Sequence, residues 1–359
     1  MTKKIIFTAG GTGGHLFPAI NLMGHLIEKG NEVLLITDAR GNSFLKHYAK
    51  LKYYTIKAET PTNKKLLKKI FSYLVIFQSV VRSIIILKKE KPDLVFGFGG
   101  YVSFPISFAS RFFKIPLILY ENNLTLGRAN KYLLPFSKKI FISKKIENEY
   151  LKKHKDKIYE SGPILNKNII NYIDEKKIDI DKNLSILVLG GSQGAKIFGK
   201  IIPPVITKLK NEGYQLQINQ QCIDTQKDEI KNYYLKNGIK NNVFEFEKNI
   251  YKLIFSSNLV ITRSGANTTA ELVFANIPFI AIPLPNSIDD HQYLNAQYYE
   301  NKGCCWFLNQ DNLNKESLFN LIVKIVKDKK KIENVKENMK KNQNKNVYSD
   351  IEKEIKKII

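Results

Sequence analysis

Three short segments combine small residues with groups able to hold an anion. The first, Gly10-Gly11-Thr12-Gly13-Gly14-His15, follows an apolar run, permits close backbone approach and offers amides at a helix start to a phosphate. His15 adds an imidazole, the side chain that ordinarily titrates near neutrality. The second, Gly190-Gly191-Ser192-Gln193-Gly194-Ala195, repeats the arrangement and supplies a hydroxyl and an amide for phosphate or sugar oxygens. The third runs from Thr262 to Leu272 and opens another helix with small residues, placing Glu271 about one turn in, where a carboxylate suits the two hydroxyls of a ribose. Each has a plainer reading, as a tight turn without ligand or, for Glu271, as a capping or solvated carboxylate. Leu16 stands where the third glycine of the dinucleotide fingerprint would be, and no G-K-[ST] follows. No carboxylate or histidine cluster with metal-ligand spacing is visible, so neither a metal site nor a cofactor is expected.

Each loop needs a strand before it and a helix after it. Residues 4–9 read as a buried strand and 18–29 as a helix ended by Gly30; further strands are expected at 32–37, 93–97, 116–120 and 139–142. The pattern restarts with strand 184–190, the second loop and a helix, and continues through 214–219, 243–246, 258–262 and 278–282. This alternation predicts an α/β protein of two doubly wound parallel sheets. The expected divisions are a first domain over 1–160, a linker over 161–183 where charge and turn formers replace periodicity, a second domain over 184–340, and a basic helix over 341–359 that can pack on either.

A length of 359 residues suits two α/β domains, and 43% apolar with 25% charged residues excludes wholesale disorder. The net charge of +24 calls for an anionic partner, whether nucleic acid, acidic membrane or phosphorylated substrate, unless a lysine-rich nucleotide bias accounts for it. Nucleic acid is disfavoured, because the lysines are dispersed and no nucleic-acid-binding motif is present. Cys222, Cys304 and Cys305 form no C-x-x-C pair, which fits a reducing cytosol, and no signal peptide is expected at the N-terminus.

Six motifs, GGTGGH (10–15), GFGGYVSFP (97–105), YENNLTLGRAN (120–130), GGSQGA (190–195), RSGANTTAEL (263–272) and DDHQYLNA (289–296), run in order across about nine-tenths of the chain. In these the chain resembles the family 28 glycosyltransferases that add N-acetylglucosamine to the lipid-linked peptidoglycan precursor. The resemblance implies the GT-B architecture, two Rossmann-like domains facing across a cleft, and inverting transfer from UDP-GlcNAc to the 4-hydroxyl of undecaprenyl-diphospho-MurNAc-pentapeptide. On the donor side it assigns Glu271 to ribose, Ser192 and Gln193 to the diphosphate loop, Ala266 and Thr268 to the helix start, His291 and Gln292 to the sugar hydroxyls, and Phe246 and Glu247 to uracil, the latter through its backbone. On the acceptor side it assigns Thr12, Gly13, Gly14, Tyr101 and Asn123 to binding, with His15 as base and Glu121 as the alternative base. Two positions depart from the family: Leu165 replaces an arginine after Pro163, and Tyr120-Glu121-Asn122-Asn123 replaces His-Glu-Gln-Asn. Rival readings are another GT-B enzyme, such as a UDP-GlcNAc 2-epimerase, or a basic nucleic-acid-binding protein.

Residues 64–89 form a long apolar stretch interrupted by Lys68, Lys69 and Arg82, which leave a short uncharged run for a bilayer span. The expectation is an amphipathic helix resting on an anionic membrane surface, with a core helix as the plainer reading. With the resemblance, this places the enzyme peripherally on the cytoplasmic face of the bacterial inner membrane, where cell-wall synthesis proteins are the implied protein partners.

Overall fold

The computed structural model describes residues 2–11, 13–45, 51–60, 65–172, 183–191, 194–343 and 347–359. These fall into two units, one of Met1–Asn166 with the residues from 344 onward, the other of Lys167–Gln343.

The first unit is built on a seven-stranded parallel sheet. Its strands are β1 (Lys4–Thr8), β2 (Glu32–Thr37), β3 (Tyr53–Thr55), β4 (Leu94–Gly97), β5 (Leu117–Glu121), β6 (Lys139–Ile142) and β7 (Ile158–Glu160), in the order β3-β2-β1-β4-β5-β6-β7. Ile5, Ile6, Phe7, Leu94, Val95 and Phe96 are wholly buried, as expected of strands covered on both faces. The second unit holds β8 (Asn183–Leu189), β9 (Gln215–Gln221), β10 (Lys240–Phe244), β11 (Leu259–Thr262), β12 (Phe279–Ala281) and β13 (Trp306–Phe307), in the order β10-β9-β8-β11-β12-β13. Both sheets reverse direction beside their first strand. In such sheets ligands bind at that switch point, outside the carboxyl ends of the strands. The switch points are β1/β4 and β8/β11, and the glycine loops follow β1 and β8.

Several boundaries differ from expectation. The first helix spans Gly13–Glu28, so His15 lies in its first turn rather than in the loop; Pro18 falls near the start, where it removes a single intrahelical bond. The strands β3, β7 and β13 went unread because two or three edge residues show no periodicity. The first unit continues to Asn166 and the helix Lys167–Asn171 joins the second unit, while residues 173–182 of the expected linker lie outside those described.

The C-terminal helix Val347–Lys356 belongs to the first unit. Glu352 takes a hydrogen bond from His25 at 3.0 Å, Glu354 pairs with Lys139, and the Tyr348 hydroxyl donates to the Leu165 carbonyl. Leu165 is itself core, 2% exposed, so this position presents no cation.

The helix Leu66–Glu90 reverses the usual amphipathic arrangement. Its inward face carries Ser72, Val75, Ser79, Ser83, Ile86 and Glu90, with the Ser79 hydroxyl donating to the Lys57 carbonyl at 2.7 Å. Leu67 (81% exposed), Ile70, Phe71, Leu74, Phe77 and Ile85 point outward. Contrary to the expectation of too short a run, the helix is long and apolar enough by length and composition to cross a membrane; its serine-lined face instead holds it to the first unit.

Glu90 anchors the end of this helix. Its carboxylate meets Lys4 Nζ at 2.7 Å and Lys52 Nζ at 3.4 Å and accepts from the Tyr54 hydroxyl at 2.7 Å. Those hydrogen bonds, Lys4 first, lower its pKa from 4.5 to about 2. A depressed carboxylate stabilises the fold above its unfolded pKa, and that contribution is lost as pH falls from 4.5 towards 2. Glu90→Gln is expected to cost about 2–3 kcal/mol at neutral pH and to flatten the acid limb of a pH-dependent urea melt; an unchanged acid limb would refute the assignment.

Candidate active site

At the first switch point the loop is fixed from below. Asp38, just past β2, accepts from Gly11 N at 3.0 Å and from Gly41 N at 2.8 Å. A Cβ on Gly10 would stand 2.8 Å from both Asp38 Oδ1 and Val102 Cγ1, so no larger residue fits. The loop therefore delivers the first helix, and with it half-buried His15, to a set position. Across the switch point, Gly99 and Gly100 after β4 adopt φ of 82° and 74°. A Cβ on Gly99 would lie 3.2 Å from His15 Cε1 and 3.4 Å from Asn130 Nδ2, and one on Gly100 would lie 3.3 Å from His15 Cδ2. The imidazole thus packs on a Gly-Gly backbone that side chains would obstruct. Tyr101 follows, half-buried, in the next turn.

Glu121 ends β5 and is 1% exposed. One carboxylate oxygen accepts from Asn123 N at 3.1 Å and Asn123 Nδ2 at 3.3 Å; the other accepts from Gly127 N at 2.9 Å and Asn130 Nδ2 at 3.0 Å. A carboxylate has about four lone-pair sites, and all are filled. This geometry makes Glu121 a hub shaping residues 121–130. It also gives Asn123 a defined orientation, and Asn130 Nδ2 connects the hub to the surface carrying His15.

At the second switch point only glycine is tolerated. A Cβ on Gly190 would sit 2.6 Å from Ala195 N and one on Gly194 2.4 Å from Ile223 Cγ2; Gly191 and Gly194 have φ of 81° and 70°. Gln221, at the end of β9, accepts from Gly190 N at 3.1 Å and donates to the Glu245 carbonyl at 3.0 Å. It couples the glycine loop to the segment carrying exposed Phe246 and half-buried Glu247, whose carboxylate accepts from Asn249 N at 2.7 Å.

After β11, Gly265 begins the helix Ala266–Ala275 in extended conformation with no side-chain cap. Ala266 is buried, while Thr268 and Glu271 are half-buried on this helix. Asp289 and Asp290, at φ of 52° and 50°, form a left-handed turn that opens the helix His291–Asn301. Paired left-handed non-glycine residues cluster where structure serves a site. Gln292 is fixed by accepting from Leu284 N at 3.0 Å and by donating its own N–H to Ser287 Oγ at 3.2 Å. Thr12, Ser192 and Gln193 lie outside the described residues.

In the first unit Gly99 adjoins both His15 and Asn130, and Asn130 and Asn123 both donate to Glu121; the second gathers the glycine loop, the start of Ala266–Ala275 and Gln221. Asp38, Asn130, Gln221 and Arg263 were given no role by sequence reasoning. A run of polar residues late in a buried strand, Asn219-Gln220-Gln221, was the available signal for Gln221.

Two such units, each with a glycine loop at its switch point, have the GT-B architecture. Within that architecture the chain belongs to glycosyltransferase family 28. The family's N-terminal domain matches residues 5–142 and its C-terminal domain residues 185–355. A Rickettsia bellii protein named UDP-N-acetylglucosamine–N-acetylmuramyl-(pentapeptide) pyrophosphoryl-undecaprenol N-acetylglucosamine transferase is 37% identical over 92% of this chain and 93% of its own length. Among solved structures, Acinetobacter baumannii MurG matches with a TM-score of 0.75 at 24% identity, covering 99% of both chains. A UDP-N-acetylglucosamine 2-epimerase matches at 0.68 with 14% identity, covering 99% of this chain and 96% of its own. At those identities the solved structures bear on the fold alone, and the family assignment rests on the sequence matches.

Proposed function

We propose that the chain transfers N-acetylglucosamine from UDP-GlcNAc to the 4-hydroxyl of undecaprenyl-diphospho-MurNAc-pentapeptide, with inversion. Its likeness along nearly its whole length to a transferase named for that reaction is the observation that carries the reading. His15 removes the proton from the acceptor hydroxyl as the anomeric bond to UDP breaks. The amides of the loop 190–195 and the start of Ala266–Ala275 stabilise the departing diphosphate. Glu271 takes the ribose hydroxyls, Gln292 and His291 the sugar, and Phe246 with the Glu247 backbone the uracil. Asn123, Tyr101, Thr12 and the Gly13-Gly14 amides line the acceptor side.

The deciding experiment supplies labelled UDP-GlcNAc with and without purified lipid acceptor. UDP release only with the muramyl lipid supports the transferase. Rearrangement at the sugar C2 without acceptor would establish the epimerase reading instead. Glu271→Ala is expected to weaken UDP binding by about 1.5–3 kcal/mol, the range for hydrogen bonds to a charged group, with an unchanged melting temperature; calorimetry showing wild-type affinity would remove Glu271 from the site.

The outward apolar face of Leu66–Glu90 supports docking on the cytoplasmic face of the inner membrane, where the acceptor's polyprenyl tail is anchored. Lys65, Lys68, Lys69, Arg82, Lys88 and Lys89 accompany that face and suit anionic headgroups. Vesicle binding is expected to require anionic lipid and to weaken with salt. Equal binding to neutral vesicles in high salt would mean purely apolar insertion, and no binding to either would end the proposal.

A further inference from the structure

Arg263 stands at the second switch point, directly after β11, and its N–H donates to the Leu189 carbonyl at 3.0 Å. Its side chain leaves the backbone beside Gly191, where a Cβ on that glycine would be 3.9 Å away. The guanidinium then turns inward, leaving the residue 6% exposed. Nη1 donates to the carbonyls of Ile282 at 3.2 Å and Pro283 at 2.9 Å, Nη2 donates to Gln310 Oε1 at 2.6 Å, and the group lies 4.7 Å from the ring centroid of Phe198 in the helix Lys196–Asn211. All of these neighbours are neutral. Among the described residues no carboxylate pairs with it, and burial alone displaces its pKa.

A buried charge met only by dipoles carries a desolvation cost that a carboxylate would normally offset. Burial pushes the Arg263 pKa down to about 10, so the group remains charged at neutral pH. The carbonyls that hold it belong to the segment leading to Gln292, and Phe198 belongs to the first turn after the glycine loop. Its positive charge is therefore embedded between the segments assigned to the sugar and to the diphosphate.

We infer that Arg263 is a positioning residue for the nucleotide diphosphate, a fixed cation behind the glycine loop whose counter-charge is supplied by the bound ligand. Resting on the proposed donor role of this unit, the inference makes part of the preference for UDP over uridine a property of a side chain that touches neither. Low effective dielectric around a buried group sustains such an interaction beyond contact distance.

Calorimetry with UDP and with uridine on the full chain tests it. Arg263→Met is expected to weaken UDP binding by about tenfold or more while changing uridine binding less than about twofold. Arg263→Lys, which keeps the charge but loses the planar fork, is expected to retain the wild-type UDP-to-uridine ratio within about threefold despite a lower melting temperature. Equal losses for both ligands in Arg263→Met would reduce Arg263 to a scaffold and overturn the inference. Should that variant not fold, loss of the ratio in a folded Arg263→Lys protein overturns it, and retention supports it. Wild-type protein that binds uridine but not UDP would end the inference, while wild-type protein that binds neither would end the donor-site reading itself.

Discussion

Replacing His15 by alanine is expected to lower kcat by about 10²–10⁴-fold with little change in the KM for the lipid acceptor, the signature of a lost general base. The expectation follows from placement: the imidazole sits in the first turn of Gly13–Glu28 and packs on the Gly99-Gly100 backbone at the switch point. Were His15 a contact to the acceptor diphosphate, the loss would appear chiefly in acceptor binding; were it only a packing residue, the melting temperature would fall and kinetics would stay near normal. Gly99→Ala provides a second approach to the same group. At φ of 82° a side chain is strained, and its Cβ would press on His15 Cε1 at 3.2 Å. Its kcat should therefore fall in parallel while His15 itself is retained. A His15→Ala enzyme with near-wild-type kcat would remove it as the base.

The second large effect concerns Glu121. Glu121→Ala would remove the acceptor of Asn123 N, Asn123 Nδ2 and Gly127 N, and leave Asn130 Nδ2 only its bond to the Tyr120 carbonyl, in a site the carboxylate now fills. The cost should be on the order of 4 kcal/mol, since each buried donor left unpaired costs about 1–3 kcal/mol and some will find water. Glu121→Gln is the informative variant. It nearly preserves volume but turns one acceptor end into a donor facing donors, so most of the instability should persist. A base would behave differently: Glu121→Gln would then retain a wild-type melt and lose turnover, with one limb of the pH–rate profile removed. Thermal melts and pH–rate profiles of the same two variants separate the alternatives.

The two glycine loops and their sheets were legible because apolar runs ending in small residues are local signals, and a buried parallel strand is a local pattern. The role of Glu121 was not, although every partner lies within nine residues, because YENNLTLGRAN gives no indication of which donors fold back on the carboxylate. Arg263 sat in plain view inside a motif. Its enclosure depends on Ile282 and Pro283 just past β12 and on Gln310, distant in sequence, so only the folded chain shows it as an enclosed cation. The two-faced character of the helix Leu66–Glu90 was legible, and its apolar side faces outward as the surface-resting expectation requires. What the sequence did not show is that serines would line much of its inward face while leucines and phenylalanines remain outside.

The return of Val347–Lys356 to the first unit makes the second an insertion within the first. A ribosome delivers Lys167–Gln343 complete before the helix that joins Leu165, His25 and Lys139 exists, so the unit begun earlier is the one finished later. Until then the apolar surface of the first unit that buries Ile351 and Ile355 is uncovered. Moving the helix to the amino terminus by circular permutation would give each unit an unbroken segment of chain and reverse that order of completion.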